Sequence, residues 1–432
     1  MNRYRFKLSD YHAIKEANLI IDGITVIAGC NGCGKSTIAR WLYAFINFSN
    51  EFNYLVDKNM LEALNRILRK MSRIIRNLDL DDVNISRQFK TIPYDTLKDD
   101  EIDYTKLSEL FEDKIKAFCD IIEKFSKRNE DRSLIGWVKR SLGTDDSLYG
   151  DFVSEYYEKA VFEANEVIER ARFEKEKSRL SDLFQYIRKE LDLYGDAPED
   201  MVFEENGMEL IGRRRFRAPL GLGNAIYIDT PMALSTHLSI ENTIWERLMK
   251  ALTNPIQEMP ESARKLVLRI RRIIGGSVVV YNDELSREAE IRYERKEDGL
   301  SIPIDEAATG LKSFAYLLRL LENGYLDSNS ILLIDEPEAH LHPQWIVEFA
   351  RMLVLLNKEV GAKILIASHN PDMVAAIQSI SRAEGLAATT KFYQAYKNKL
   401  SYKYTYKYLG NEIDAIFNSF NIALDRIEDY GK

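Results

Sequence analysis

The stretch Gly29-Cys30-Asn31-Gly32-Cys33-Gly34-Lys35-Ser36 decides the fold of this chain. It fits the pattern G-x-x-x-x-G-K-[S/T], in which glycines let a loop wrap so that its backbone N–H groups point at phosphate oxygens. An apolar, β-branched run at 24–28 precedes the loop, and a helical pattern at 38–42 follows it. Because strand, loop and helix come in the order that such a loop requires, we predict a phosphate-binding loop here.

The loop chemistry predicts ATP and Mg²⁺ as cofactors. Lys35 is expected to neutralise the β- and γ-phosphates, and Ser36 to offer its hydroxyl to the metal. Cys30 and Cys33 also form a C-x-x-C pair, which is typical of half a zinc site or of a redox pair. No second Cys/His pair has metal spacing, so we interpret them as small residues tolerated in the loop. The residues expected to contact the nucleotide from this loop are Gly29, Cys30, Asn31, Gly32, Cys33, Gly34, Lys35, Ser36 and Thr37.

A second apolar run, at 330–334, ends in the acids Asp335 and Glu336. A strand buried on both faces of a parallel sheet is continuously apolar, and ligands bind at its carboxyl end. We therefore expect Asp335 to hold the Mg²⁺ and Glu336 to polarise the attacking water.

A third such run, at 363–368, is followed by His369. The chain has five histidines, and His340, His342 and His369 all follow the acidic pair. We expect His369 to donate to the γ-phosphate or to hold the water together with Glu336. Lys35, Glu336 and His369 are thus the predicted catalytic residues.

The segment 305–314 carries Thr309 and Gly310 before an apolar helical run at 314–321. A small hydroxyl residue and a glycine at a helix start predict a capped N-terminus whose free N–H groups bind an anion. We expect both residues to contact the nucleotide.

Glycine spacing and helical periodicity indicate one α/β domain that a helical segment interrupts. Glycine is absent from residue 51 until Gly136, and apolar residues between 60 and 75 recur every three or four positions. We predict a mixed sheet with helices on both faces, whose N-terminal part is 1–50 and whose C-terminal part is 201–432. Residues 51–200 are predicted to form an α-helical insertion.

Composition excludes several classes of protein. Of the 432 residues, 45% are hydrophobic and 30% charged, which is typical of a globular chain. Three cysteines cannot make a disulfide framework, and no apolar run is long enough to span a membrane, so we expect a cytoplasmic protein. Residues 51–200 hold 26 Lys and Arg against 34 Asp and Glu, so the net charge of −8 belongs to that segment. Basic clusters at 213–217 and 264–272 keep nucleic-acid binding open.

Near the C-terminus, residues 400–408 alternate aromatic with small or basic side chains. This period predicts a strand with one aromatic face. We interpret it as an edge strand that packs its tyrosines on the core, with a stacking platform for bases as the alternative.

The order of these motifs resembles the ATPase heads of the ATP-binding-cassette (ABC) group that includes SMC, RecF and OLD proteins. The stretch 335–343, Asp-Glu-Pro-Glu-Ala-His-Leu-His-Pro, is especially similar to OLD-type ATPases. Thr-Gly-Leu-Lys at 309–312 stands where transporters have Ser-Gly-Gly-Gln, which argues against a transporter subunit.

The resemblance implies a homodimer, or a larger even-numbered oligomer, in which two heads sandwich two ATP molecules. Thr309 and Gly310 would then act on the nucleotide held by the partner head. No glutamine stands where the family's glutamine loop should lie, and metal contact from Asp229 or Thr230 is expected there instead. The adenine contact stays open between Tyr11, His12 and a residue distant in the sequence.

We expect this chain to lack the nuclease domain of full OLD proteins. It therefore resembles the ATPase subunits of bacterial anti-phage systems such as Septu (PtuA), which implies a separate nuclease or toxin as partner. The stretch 408–417 is similar to that group too. A DNA-binding repair or chromosome-structuring clamp of RecF or SMC type is the alternative, and a hydrolase acting on other nucleotides is a third reading.

Overall fold

We describe a computed structural model of the chain, covering residues 2–80, 83–93, 102–129, 131–144, 151–191, 196–212, 214–229, 243–282, 289–410, 412–417 and 430. The chain forms two compact units. Met1–Asn50 and Leu183–Lys432 make up the first, and Glu51–Asp182 the second.

Ten strands of the first unit form one mixed sheet, in the order β5-β4-β1-β2-β13-β12-β3-β11-β10-β6. The last five of these strands, from β12 to β6, run parallel to one another. A separate antiparallel sheet contains β7, β8 and β9. The strands are β1 Tyr4–Tyr11, β2 Ile14–Ile21, β3 Ile24–Ala28, β4 Asp200–Glu205, β5 Met208–Glu209, β6 Asn224–Ile228, β7 Ser277–Asn282, β8 Ala289–Arg295, β9 Leu300–Pro303, β10 Ser330–Asp335, β11 Lys363–Ser368, β12 Thr390–Lys397 and β13 Tyr404–Gly410.

The α-helices divide between the two units. The helices are α1 Lys35–Asn77, α2 Val83–Gln88, α3 Tyr104–Arg128, α4 Arg132–Leu142, α5 Phe152–Lys177, α6 Leu180–Leu191, α7 Thr243–Thr253, α8 Arg264–Ile274, α9 Thr309–Glu322, α10 Pro343–Leu355 and α11 Pro371–Ala383.

The parallel strands are buried because helices cover both of their faces. Every residue of β3, β10 and β11 is buried, which is why these segments are continuously apolar in sequence. On β6, Ile226 and Ile228 join the core that α7 to α11 cover. Tyr227 points to the opposite face, where it meets Tyr43 of α1 at a ring distance of 6.2 Å. The prediction of a mixed α/β sheet with helices on both faces and a helical interruption is confirmed.

The interrupting segment is helical, as its periodicity indicates. Helix α1 starts at the phosphate loop and continues without a break into the second unit, where the apolar residues recurring between 60 and 75 are buried. Within that unit α3 packs along α5, with the rings of Phe118 and Tyr156 5.6 Å apart. Asp57 binds both Lys175 and Tyr104, at 2.8 and 2.9 Å.

The aromatic strand near the C-terminus is not an edge strand, so that prediction is wrong. Strand β13 lies inside the sheet, hydrogen-bonded to β12 on one side and to β2 on the other. It begins at Tyr404, whereas residues 400–402 belong to the preceding turn. An alternating pattern reports which residues share a face, but it does not report how many neighbours a strand has.

Candidate nucleotide site

The predicted motifs converge at one edge of the sheet. Strands β3, β6, β10 and β11 are parallel, so their carboxyl ends lie at the same edge. The phosphate loop follows β3, Asp229 follows β6, Asp335 ends β10 and His369 follows β11. The sheet alone therefore brings these residues together from distant parts of the chain.

Glycine is required in the phosphate loop for two different reasons. Gly32 and Gly34 have φ values of +76° and +97°, a region that other residues rarely adopt. A Cβ at Gly34 would also lie 2.6 Å from Cγ1 of Ile14, and one at Gly29 would lie 2.8 Å from Cβ of Ala395. The loop therefore packs closely against β2 and β12, which carry Ile14 and Ala395.

The Lys35 side chain folds back over this loop. Its Nζ donates hydrogen bonds to the carbonyls of Gly29 and Cys30, at 2.9 and 3.2 Å. Lys35 is only 5% exposed, so its ammonium group is held inside the curve of the loop. Such a position suits a cation that neutralises phosphate oxygens.

Two tyrosines of β13 contact the loop cysteines. The Tyr406 hydroxyl donates to the carbonyl of Cys33 at 3.0 Å, and the Cys30 thiol donates to the Tyr404 hydroxyl at 3.3 Å. Both cysteines are free thiols, Cys30 exposed and Cys33 buried. No cluster of metal-binding side chains occurs among the described residues. The alternating pattern predicts an aromatic face on this strand but not its contact with the loop.

Asp335 is buried beside the start of α1. It is 4% exposed, and burial raises the pKa of its carboxyl group, whereas a hydrogen bond from Ser36 lowers it. The Tyr227 hydroxyl lies 3.4 Å from Oδ2. A buried carboxylate next to a serine hydroxyl is a donor set that suits Mg²⁺, so these two residues fit the predicted metal.

Glu336 leaves the strand in a strained conformation. Its φ is +48°, and its N–H donates to the carbonyl of Ala367 at 2.8 Å. This geometry turns the side chain toward β11, where Oε1 lies 3.2 Å from Nδ1 of His369. Non-glycine residues with such φ values cost energy and cluster at functional sites.

Glu338 is a third acid at this edge, and the sequence motifs predict no role for it. Its side chain is 3% exposed, and Oε1 accepts hydrogen bonds from the Ser368 hydroxyl at 2.7 Å and from the His369 N–H at 3.1 Å. Burial raises the pKa of Glu338, and the hydrogen bond from Ser368 opposes this. The only signal in the sequence is a third acid, separated from the acidic pair by Pro337.

The helix that carries Thr309 and Gly310 differs from its prediction. Helix α9 begins at Thr309 itself, and Ala308 occupies the N-cap position without a side-chain hydrogen bond. The expectation that Thr309 caps the helix is therefore wrong. A Cβ at Gly310 would lie 3.1 Å from both Leu341 and Trp345, so glycine permits close packing against the start of α10.

Other predicted residues are placed as follows. Asp229 pairs with Arg40 of α1 at 3.0 Å, whereas Thr230 and Arg213 lie outside the described residues. Tyr11 and His12 stack on each other with ring centroids 4.1 Å apart. His342 is the N-cap of α10, where it accepts a hydrogen bond from the Gln344 N–H, which is a structural role.

The geometry agrees with a comparison of the sequence with known families. A model described as "AAA ATPase domain" matches residues 4–374. The chain belongs to this AAA ATPase family. Membership of this AAA ATPase family implies the use of ATP and typically of Mg²⁺.

Structural similarity to solved proteins is weaker. The chain resembles an Smc head domain with an extended coiled coil bound to the C-terminal domain of ScpA from Pyrococcus furiosus, at 13% identity, full coverage of both chains and a TM-score of 0.34. It resembles the SMC head domain from Thermotoga maritima at 10% identity, with 95% and 99% coverage and a TM-score of 0.36. A head domain from Pyrococcus yayanosii shares 12% identity at 98% and 100% coverage, with a TM-score of 0.38. No curated protein sequence matches the chain.

The two basic clusters differ in whether their arginines form ion pairs or are exposed. Arg264, Arg269 and Arg271 form ion pairs with glutamates at 2.9, 2.9 and 2.6 Å. Arg214, Arg215 and Arg217 are exposed. In the part of the chain that the structure describes, no helix has the length and apolar character to cross a membrane.

Proposed function

We propose that this AAA ATPase binds and hydrolyses Mg·ATP at the sheet edge just described. The observation that supports this most directly is the pairing of Glu336 with His369, 3.2 Å apart, beside Asp335 and the phosphate loop. A carboxylate and a histidine at this distance can orient a water molecule for attack on phosphorus.

Each residue has a distinct task in this proposal. Loop N–H groups and Lys35 bind the phosphates, and Ser36 with Asp335 holds Mg²⁺, which neutralises charge on the phosphate oxygens when bound. Glu336 accepts a proton from the attacking water. His369 orients that water together with Glu336.

Two variants test the assignment. Lys35→Ala is expected to abolish ATP binding, because the loop loses its cation. Glu336→Gln is expected to bind ATP normally but to release no phosphate above background. Equilibrium binding and phosphate release measure the two effects, and an active Glu336→Gln protein would refute the assignment.

We further propose that two heads close on two ATP molecules. The supporting feature is the N-terminus of α9, where Ala308 gives no side-chain cap and the first N–H groups point out of the helix. Thr309 and Gly310 would bind the γ-phosphate held by a second copy. Glu336→Gln with ATP should then run as a dimer in size-exclusion chromatography with light scattering, whereas the protein with ADP should be monomeric.

The biological role is the finest level of the proposal. We infer that ATP-driven closure controls a separate nuclease or toxin in anti-phage defence, with the acidic segment 51–200 as the docking surface. The support is the Asp-Glu-Pro-Glu-Ala-His-Leu-His-Pro sequence and the charge of that segment. The test is to express Glu336→Gln in its own host and to identify co-purifying proteins by mass spectrometry.

A DNA clamp is the second candidate, and exposed arginines favour it. Arg214, Arg215 and Arg217 lie together on the surface, where they could contact a phosphate backbone. Replacing all three with alanine should weaken DNA binding and reduce its salt dependence. The matched control replaces Arg264, Arg269 and Arg271, which are already paired with glutamates. Equal DNA binding by both triple variants would refute the clamp.

A further inference from the structure

Glu338 is enclosed between the ends of two strands. It follows β10 by three residues, yet its Oε1 is occupied by two donors at the end of β11, Ser368 and His369. The residues at 336 and 340 on either side of it have positive φ values, so the backbone turns sharply to place this carboxylate inward.

The His369 ring lies between two carboxylates. Its Nδ1 is 3.2 Å from Glu336 Oε1 and 3.6 Å from Glu338 Oε1. Among the described residues, neither His369 Nδ1 nor Glu338 Oε2 has a hydrogen-bond partner, although both atoms are buried. The Nδ1–H is therefore close to both acids but aligned with neither.

The His369 side chain is buried at Nδ1 and partly exposed elsewhere. Nδ1 is buried, whereas the side chain as a whole is 43% exposed. A small rotation about the side-chain bonds would move Nδ1–H from one acid to the other.

We propose that Glu338 is a positioning residue that accepts a hydrogen bond from His369 Nδ1–H when ATP and water bind, so that Nδ1–H does not pair with Glu336. Glu336 is then free to accept the proton of the attacking water, and His369 stays oriented through Glu338. No covalent bond changes in this exchange, because the Nδ1 proton stays on nitrogen. The inference rests on the proposed hydrolytic roles of Glu336 and His369.

Glu338→Gln tests the exchange because it removes the charge and keeps the size. It is expected to lower kcat for ATP hydrolysis between about tenfold and a hundredfold, the effect of a misplaced catalytic group, while the KM and the Kd for ATP stay within about twofold. Glu348→Gln is the matched control, since Glu348 is a half-exposed acid on α10 that pairs only loosely with Arg351, at 4.0 Å. Its kcat is expected to equal that of the unaltered protein.

A merely structural role would give a different pattern. If Glu338 only held the strand ends together, Glu338→Gln would weaken ATP binding and lower the melting temperature together with kcat, and the inference would be overturned. Unchanged kcat in Glu338→Gln would also overturn it. If Glu338→Gln does not fold, Glu338→Asp gives the same comparison, because it keeps the charge but withdraws it from Nδ1.

Failure of the proposed function would be recognised separately. If the unaltered protein and Glu336→Gln release phosphate at the same rate, the hydrolytic assignment fails and the inference with it. If these two differ as expected and Glu338→Gln hydrolyses ATP at the full rate, only the inference about Glu338 fails.

Discussion

The hydroxyl of Tyr406 donates a 3.0 Å hydrogen bond to the backbone carbonyl of Cys33, 373 residues earlier in the chain. Tyr406 is buried in β13, so a strand near the C-terminus supports the phosphate loop from below. The same strand contacts Cys30 through Tyr404. The loop therefore depends on the sheet as well as on its own glycines.

Tyr406→Phe is expected to weaken ATP binding by a few fold. The variant keeps the ring but removes the donor to Cys33, at a cost of about 1 kcal/mol in the free energy of unfolding. Tyr393→Phe is the matched control. The buried Tyr393 hydroxyl on β12 accepts a hydrogen bond from the Ile20 N–H on β2 at 2.9 Å, and these two strands lie on either side of β13. Both variants should lose similar stability by urea denaturation. Equal ATP affinity in the two would contradict a role for Tyr406 in holding the loop.

The sequence predicts the parts of this site that local patterns determine. The loop glycines, Lys35 and the apolar strand that ends at Asp335 are each recognisable within about ten residues, since a buried parallel strand and a phosphate loop need those residue types. Tyr406 and Glu338 are not predictable in this way. Their roles come from contacts 373 and 30 residues away, which only the strand order of the sheet creates.

The same reasoning explains the two wrong predictions. The alternation at 400–408 predicted tyrosines packed on the core, but only Tyr406 is buried, whereas Tyr402 and Tyr408 are exposed. It also did not predict the position of β13 between β2 and β12. Thr309 was expected to cap α9 because threonine is a good N-cap. The helix instead begins one residue earlier than a threonine cap requires, with Ala308 at the N-cap.

Gly34→Ala is expected to impair ATP binding more than Gly32→Ala does. Both glycines have positive φ, so alanine costs about 1–2 kcal/mol at either position. At Gly34 the new methyl group would also meet Ile14 at 2.6 Å, whereas nothing lies within 4 Å of a Cβ at Gly32. Titration with ATP under identical conditions measures the difference, and equal affinities would show that the contact with Ile14 does not matter.

Asp335→Asn is expected to stabilise the nucleotide-free protein while abolishing Mg²⁺-dependent hydrolysis. Burial raises the pKa of Asp335, and the charges of Asp229 and Glu336 act in the same direction. The ionised Asp335 carboxylate therefore lowers the free energy of unfolding. The gain in the free energy of unfolding should be about 1 kcal/mol at neutral pH.

The stabilising effect of Asp335→Asn is expected to depend on pH. The ionised Asp335 carboxylate destabilises the folded state, because its pKa is higher in the folded than in the unfolded protein. This destabilisation is complete above the folded-state pKa, and it disappears as the pH falls toward the unfolded value of 3.8. The stability difference between Asp335→Asn and the unaltered protein should therefore shrink on acidification, as followed by urea denaturation at several pH values. A difference that grows at low pH would contradict the burial of a charged Asp335.

Mixing two inactive variants tests whether α9 acts on the partner's nucleotide. Lys35→Ala removes the phosphate cation, and Thr309→Glu places a negative charge at the start of α9. If Thr309 acts in trans, a mixed dimer has one site with both residues intact and one with both altered. Random mixing in equal amounts should then restore about a quarter of the original phosphate release, since half of the dimers are mixed and each has one working site. If Thr309 acts on the nucleotide of its own chain, every site keeps one defect and the mixture stays inactive.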